Sequence, residues 1–120
     1  MKYKFGIMQG RLLPKYQGRY QAHPIGYWKD EFPIASDLGL DSIEFILDYN
    51  DVEKNPLLSI GGIEDIKKAE QLSGVKVRSI CADYFMEAPI HSKNTLTVHK
   101  SLKVLDQLIK NASLLDIKDI

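Results

Sequence analysis

The chain has little cysteine, a lone tryptophan, no long apolar run and no net charge. Cys81 is the only cysteine, so no internal disulfide can form and the fold must rest on its core. That suits a reducing compartment. No stretch approaches the ~18 consecutive apolar residues of a membrane span. Met1 to Arg11 carries lysines but no apolar run and no small-residue cleavage site. It does not read as a signal peptide, and the expected location is the cytoplasm. Basic and acidic residues balance at 16 each, whereas dedicated nucleic-acid binders are usually basic overall. Neither nucleic acid nor a membrane is therefore an expected partner. Also missing are a G-x-G-x-x-G fingerprint, a Walker motif and a paired C-x-x-C, and Gly61-Gly62 is not a phosphate loop.

What is present is an ordinary soluble composition, 44% hydrophobic and 27% charged over 120 residues. That is enough for one domain. The charge balance hides an asymmetry. Up to Lys29 there are six basic residues (Lys2, Lys4, Arg11, Lys15, Arg19 and Lys29) and no acidic one. The first quarter is thus a local positive field, either plainly solvated or suited to an anionic ligand.

Lys2 to Gln9 alternates polar and apolar residues, with Tyr3, Phe5 and Ile7 on one face, and reads as a strand. A long stretch from Gly10 to Tyr27 follows, broken by Pro14, Gly18, Pro24 and Gly26. Such loops are uncommon in compact domains and often functional. A helix is expected over Asp30 to Leu38, with Pro33 tolerable in its first turn and Gly39 as a left-handed cap. Asp41 to Leu47 is dense enough in apolar residues for a strand buried on both faces. After a loop from Asp48 to Ser59, Gly62 to Ser73 reads as a helix with Ile63, Ile66, Ala69 and Leu72 inward, ended by Gly74. Val75 to Ala82 is a third strand, and Tyr84 to Lys93 a loop. Asn94 to Leu115 has Val98, Leu102, Leu105, Ile109 and Ala112 at the rhythm of one helical face. Ile117 to Ile120 opens a fourth strand.

A weak repeat joins these pieces. Ala35 to Ile43, Ala69 to Lys76 and Ala112 to Ile120 each end a helix, turn tightly and begin a strand. Strands alternating with helices imply right-handed βαβ crossovers and a parallel sheet. Three such units fall short of the eight that close a barrel of ~250 residues. The expected fold is α/β, the first three to three-and-a-half strands of a (β/α)₈ barrel, with residues 1–120 as the N-terminal portion of one barrel domain. A small doubly wound sheet is the rival, though its last strand would be only four residues long.

Three segments carry a family resemblance: Gly6-Ile7-Met8-Gln9-Gly10-Arg11-Leu12, Leu38-Gly39-Leu40-Asp41-Ser42-Ile43-Glu44-Phe45, and Val75 to Met86. In that order and spacing they resemble the N-terminal part of sugar phosphate isomerase/epimerase proteins. Those are xylose-isomerase-like TIM barrels, a group that includes the endonuclease IV type of AP endonuclease. The resemblance implies an enzyme that uses a divalent metal (Mn, Mg, Zn or Co) on a small sugar or sugar phosphate. The reaction would move a proton next to a carbonyl through an enediolate. It also implies that the metal ligands and the acid–base glutamates lie on later strands. No metal ligand and no catalytic residue is therefore assigned within these 120 residues, which are not expected to bind the ion or to be active alone.

Barrel active sites lie at the C-terminal ends of the strands. That selects Gln9 and Arg11 after the first strand, Arg11 as a fork for phosphate or carboxylate. The loop beyond interleaves Lys15, Tyr16, Arg19, Tyr20 and His23, able to stack a sugar or grip a phosphate. Glu44 is the only charge inside the second strand. It reads either as an ion-pair partner of Arg78 or as a polar group in the barrel mouth. Asp48 reads as a turn residue. Asp83, with Tyr84, Glu87 and His91 nearby, offers carboxylate and imidazole chemistry. The substrate-contact candidates are thus Gln9, Arg11, Glu44, Asp83 and His91. AP endonucleases carry a zinc-binding histidine in this general region, where this chain has Asp83 and Tyr84; that departure ranks a metal-dependent phosphodiesterase behind the isomerase, as the alternative function. Cys81 has no adjacent base and reads as inert. A non-catalytic half-barrel is the third reading, in which a homodimer would cover the open strand edges.

Overall fold

The structure is a computed structural model and describes residues 4–120. In chain order its elements are β1 (Gly6–Met8), α1 (Glu31–Asp37), β2 (Ser42–Ile46), α2 (Ile60–Ser73), β3 (Lys76–Cys81), α3 (Tyr84–Glu87) and α4 (Thr95–Leu114). The three strands form one parallel sheet in the order β1-β2-β3. The chain is therefore α/β and built from βαβ units. The order never reverses, so right-handed crossovers put every connecting helix on the same face. Accordingly α1 packs on α2, and α2 on α4.

The core lies between that helix layer and the sheet. Ile43, Phe45 and Leu47 from the β2 segment and Val75, Val77 and Ile80 from the β3 segment meet Phe32, Ala35, Ile63, Ile66, Leu108 and Ala112 from the helices. Each large side chain sealed here is worth roughly 1.5–3 kcal/mol. Trp28 closes one end, edge-on to Phe45 at 5.5 Å between ring centroids.

Local chemistry explains the ends of the elements. The α2 helix starts two residues earlier than the apolar rhythm indicates, because Ser59 Oγ accepts the Gly62 N–H at 2.9 Å. Gly62 also lets α2 cross the Pro56 backbone, where any Cβ would collide. Asn94 caps α4 by accepting the Thr97 N–H at 3.1 Å. The repeat seen in sequence recurs in hydrogen bonding. Leu40 N–H donates to Ala35 C=O, and Ile117 N–H to Ala112 C=O, each five residues back at the end of a helix. Gly39 and Asp116 hold the left-handed position in these two turns, at φ of +77° and +57°. The middle copy differs by one residue and closes instead on Gly74, whose N–H donates to Glu70 C=O.

Several expectations change. Tyr3 lies outside the described residues; of the other two residues read on the β1 face, Ile7 packs against the core and Phe5 is exposed. Leu72 turns out to solvent at 81% exposure. The buried face of α4 runs through Ser101, Leu108, Asn111 and Ala112, with Val104 half-buried, while Leu102 and Ile109 are about half exposed. The apolar sector of α4 is thus wider than the part that α2 and the Pro56–Leu58 turn cover, and the regular spacing picks out its shoulder. β2 is buried on its helix side, but Glu44 on the other side is only half-buried. The loop after β3 contains α3. The fourth strand amounts to one parallel bridge, Ser79 to Asp119, with Lys118 N–H donating to Arg78 C=O and Ile80 N–H to Asp119 C=O. Among the described residues no helix is long and apolar enough to cross a membrane.

Candidate functional site

Residues 10 to 27 form a strap over the C-terminal ends of the strands. A buried carboxylate holds its base. Glu31, fully buried at the start of α1, accepts the Gly10 N–H at 2.8 and 2.9 Å and the Leu12 N–H at 3.0 Å. Burial pushes its pKa up, and those two N–H groups and the Arg11 charge pull it back down. Gly10 sits at φ +90°, and a Cβ there would come within 2.9 Å of Tyr20 C=O. Only glycine accommodates both the φ and the approach. Further on, Tyr16 and Arg19 exchange both backbone hydrogen bonds at 3.0 Å around Gln17-Gly18, whose φ values are +49° and +79°. Two successive left-handed residues make a type I′ hairpin. The expected irregular loop therefore contains a tight turn, and that turn aims Arg19 back at the sheet.

The strap ties the strand exits together. Arg19 Nη2 pairs with Asp48 Oδ2 at 2.9 Å, and Asp48 is buried at the exit of β2. Arg11 Nη1 donates to Tyr20 C=O at 2.8 Å and Nη2 to Gln21 Oε1 at 2.6 Å. The Gln21 amide then donates to Asp83 Oδ2 at 2.7 Å. Arg11, after β1, thereby reaches Asp83, after β3, through one exposed glutamine. The Cys81 thiol donates to the other oxygen, Asp83 Oδ1, at 3.2 Å. Burial pushes this thiol up to about 11, helped by the hydrogen bond to Asp83 and the charges of Asp83 and Glu44. It stays protonated at neutral pH, which makes it a poor nucleophile.

Behind this chain lies a buried polar pair. Gln9 Oε1 accepts the Ile46 N–H at 2.9 Å and stands 3.1 Å from His23 Nδ1. An amide oxygen only accepts, so Nδ1 carries the proton and Nε2 a lone pair. Both side chains are sealed from solvent, and neither Gln9 Nε2 nor His23 Nε2 has a partner among the described residues. His23 lies 5.2 Å from the Phe45 ring and 6.3 Å from Trp28, and burial lowers its pKa from 6.5 to about 4.

The candidates read from sequence divide accordingly. Gln9, Arg11 and Asp83 stand at the strand exits, with Arg11 and Asp83 bridged. Glu44 is half-buried on the sheet side away from the helices, and its charge acts on Cys81. It does not pair with Arg78. A bulge sets Glu44 opposite Ser79, and the charge of Arg78 acts on Glu70 and Asp116 instead. His91 is exposed and outside the network. Asp48 is a buried ion-pair partner rather than a turn residue. Gln21 and Glu31 gave no sequence signal, because their roles depend on where the strap lands.

A separate groove lies on the helix layer. It has a volume of about 590 Å³ between α1 and α2 and is lined by Phe32, Pro33, Ala69 and Leu72. Its rim pair, Lys29 and Asp65, already stand 3.7 Å apart. Ser36, Asp37, Lys68 and Ser73 complete its polar lining, but none of these polar groups is buried, whereas the strand exits hold a buried amide, imidazole and carboxylates and are the better candidate. Among the described residues no group of three or more His, Cys, Asp or Glu side chains is placed to hold a metal ion. The divalent ion implied by the resemblance therefore finds no fitting donor set within these residues. No family model matches the chain, and a search of the curated proteins finds no match.

Proposed function

We propose that this chain is the N-terminal part of a sugar phosphate isomerase/epimerase-type (β/α)₈ barrel in the cytoplasm, and that it supplies part of the substrate rim. One observation carries the reading. Arg11, Gln21 and Asp83 converge at the C-terminal ends of parallel strands laid down in unreversed order. A doubly wound sheet places its crevice where the order reverses, whereas a barrel places its site at this end of every strand.

Each residue would have a simple part. Arg11 would fork onto a negatively charged or carbonyl oxygen. Asp83 would accept a sugar hydroxyl once Gln21 moves aside. Gln9 would hold the β1 and β2 exits in register through the Ile46 N–H. The acid–base carboxylates and the ligands of any divalent ion would lie on further strands of the barrel, and such an ion would supply Lewis-acid chemistry there. Proton transfer would then exchange the hydrogen next to the substrate carbonyl with solvent.

The test incubates the full-length gene product with ketopentoses and ketopentose phosphates in D₂O and follows the proton next to the carbonyl by NMR. Catalysed loss of that signal supports the reading. No exchange with any of them overturns it.

A further inference from the structure

We infer that the groove between α1 and α2 is a docking face for a second copy of this chain. A two-fold axis would set Leu72 of each copy into the groove of the other.

Leu72 follows the helical spacing of Ile63, Ile66 and Ala69, yet it is 81% exposed. A single exposed leucine is ordinary, but this one borders an apolar groove. Contacts that cross from one helix to the other bound the groove at both ends. Lys29 stands 3.7 Å from Asp65 where α1 begins, and Ser36 Oγ donates to Ser73 C=O at 2.9 Å where both helices finish. Phe32, Pro33 and Ala69 line the space between, which at about 590 Å³ is ample for a leucine side chain. Leu72 forms part of its own wall and cannot fill it. The Leu72 of a second copy can.

The charges on the rim select this occupant. Asp37 of α1 and Lys68 of α2 both line the groove and are both exposed. Neither makes an ion pair among the described residues. A partner carrying charge of one sign would leave one of them unanswered. A copy turned through a two-fold axis answers both, because Lys68 meets the partner's Asp37 and Asp37 meets the partner's Lys68. Leucine, groove and both charges thus lie on one self-complementary patch, as an isologous contact requires. Such a contact closes at two copies. The groove opens on the outer surface of the helix layer, so filling it leaves the strand exits uncovered, and the open edge of the sheet plays no part.

The experiment is sedimentation equilibrium of the full-length gene product over a range of concentrations. A reversible monomer–dimer equilibrium is expected. Leu72→Glu should raise the dissociation constant about a hundredfold, because a two-fold contact loses that side chain twice. Lys68→Glu and Asp37→Lys should each raise it about tenfold by setting like charges together. Combined in one chain they restore opposite charges, and the constant should return to within about twofold of the parent. Lys103→Glu, on α4, should leave it unchanged. All these positions are exposed, so circular dichroism should show each variant folded like the parent. A monomer at every concentration would overturn the inference. So would a dimer that ignores Leu72→Glu, or one that the two charge reversals weaken singly without rescue in combination.

Discussion

His23 should make the fold acid-sensitive in a way that one substitution removes. Its imidazole is 2% exposed between Phe45 and Trp28, and burial lowers its pKa from 6.5 to about 4. The sign follows from proton counting. Between those two values the unfolded chain binds a proton on His23 and the folded chain does not, so stability falls as pH falls. The contribution is present in full above pH 6.5 and is gone below about 4. Between pH 7 and pH 5 the loss works out at about 2 kcal/mol. Glu31 and Glu70 act in the opposite direction. Burial raises both carboxyls, so they favour the fold more as pH falls. The decisive quantity is therefore a difference. Urea unfolding at pH 7 and pH 5 would be measured for the parent and for His23→Asn, which keeps an N–H donor towards Gln9. The variant will be less stable throughout, but its stability should drop by about 2 kcal/mol less over this interval. Equal drops in the two proteins would refute the assignment of His23 as a buried neutral imidazole.

Other outcomes follow from the packing and the network. Gly62→Ala forces a Cβ into the Pro56 backbone and should cost about 2 kcal/mol in chemical denaturation. Asn55 donates to Ile46 C=O and accepts the Leu57 N–H, both at buried positions. Asn55→Ala orphans both and should cost about 2–3 kcal/mol, read by the same unfolding assay. The Cys81 thiol, raised from 9.0 to about 11, should react with iodoacetamide at neutral pH about a hundredfold more slowly than a free thiol. Asp83→Asn should speed that alkylation, because it removes a charge that holds the proton on sulfur.

The strands and helices were legible because their signals are local. Val75 to Ala82 and Asn94 to Leu115 match β3 and α4 to within a residue at each end. The turn repeat led directly to the shared hydrogen bonds at Leu40 and Ile117. Facing was harder. Leu102 and Ile109 keep perfect helical spacing yet lie about half exposed, because an apolar sector wider than one contact face leaves its centre undetermined. The geometry of the candidate site was legible only at its strand ends. Gln9, Arg11 and Asp83 follow from the rule that strand exits carry function, but Gln21, Glu31 and the Arg19–Asp48 pair depend on a long strap folding back over the sheet. Spacing along the chain does not encode which exposed glutamine lands between an arginine and an aspartate. The bulge at Arg78 shows the same limit, since one extra residue removed the partner expected for Glu44.

The central claim is that these βα units open a barrel whose remaining strands bring the acid–base groups. The most direct test is the intact mass of the native gene product, measured by mass spectrometry. A mass of about 30 kDa, as eight βα units of ~250 residues require, is the predicted result. A mass of 13.7 kDa would contradict it, because the chain would then have no later strands to supply those groups.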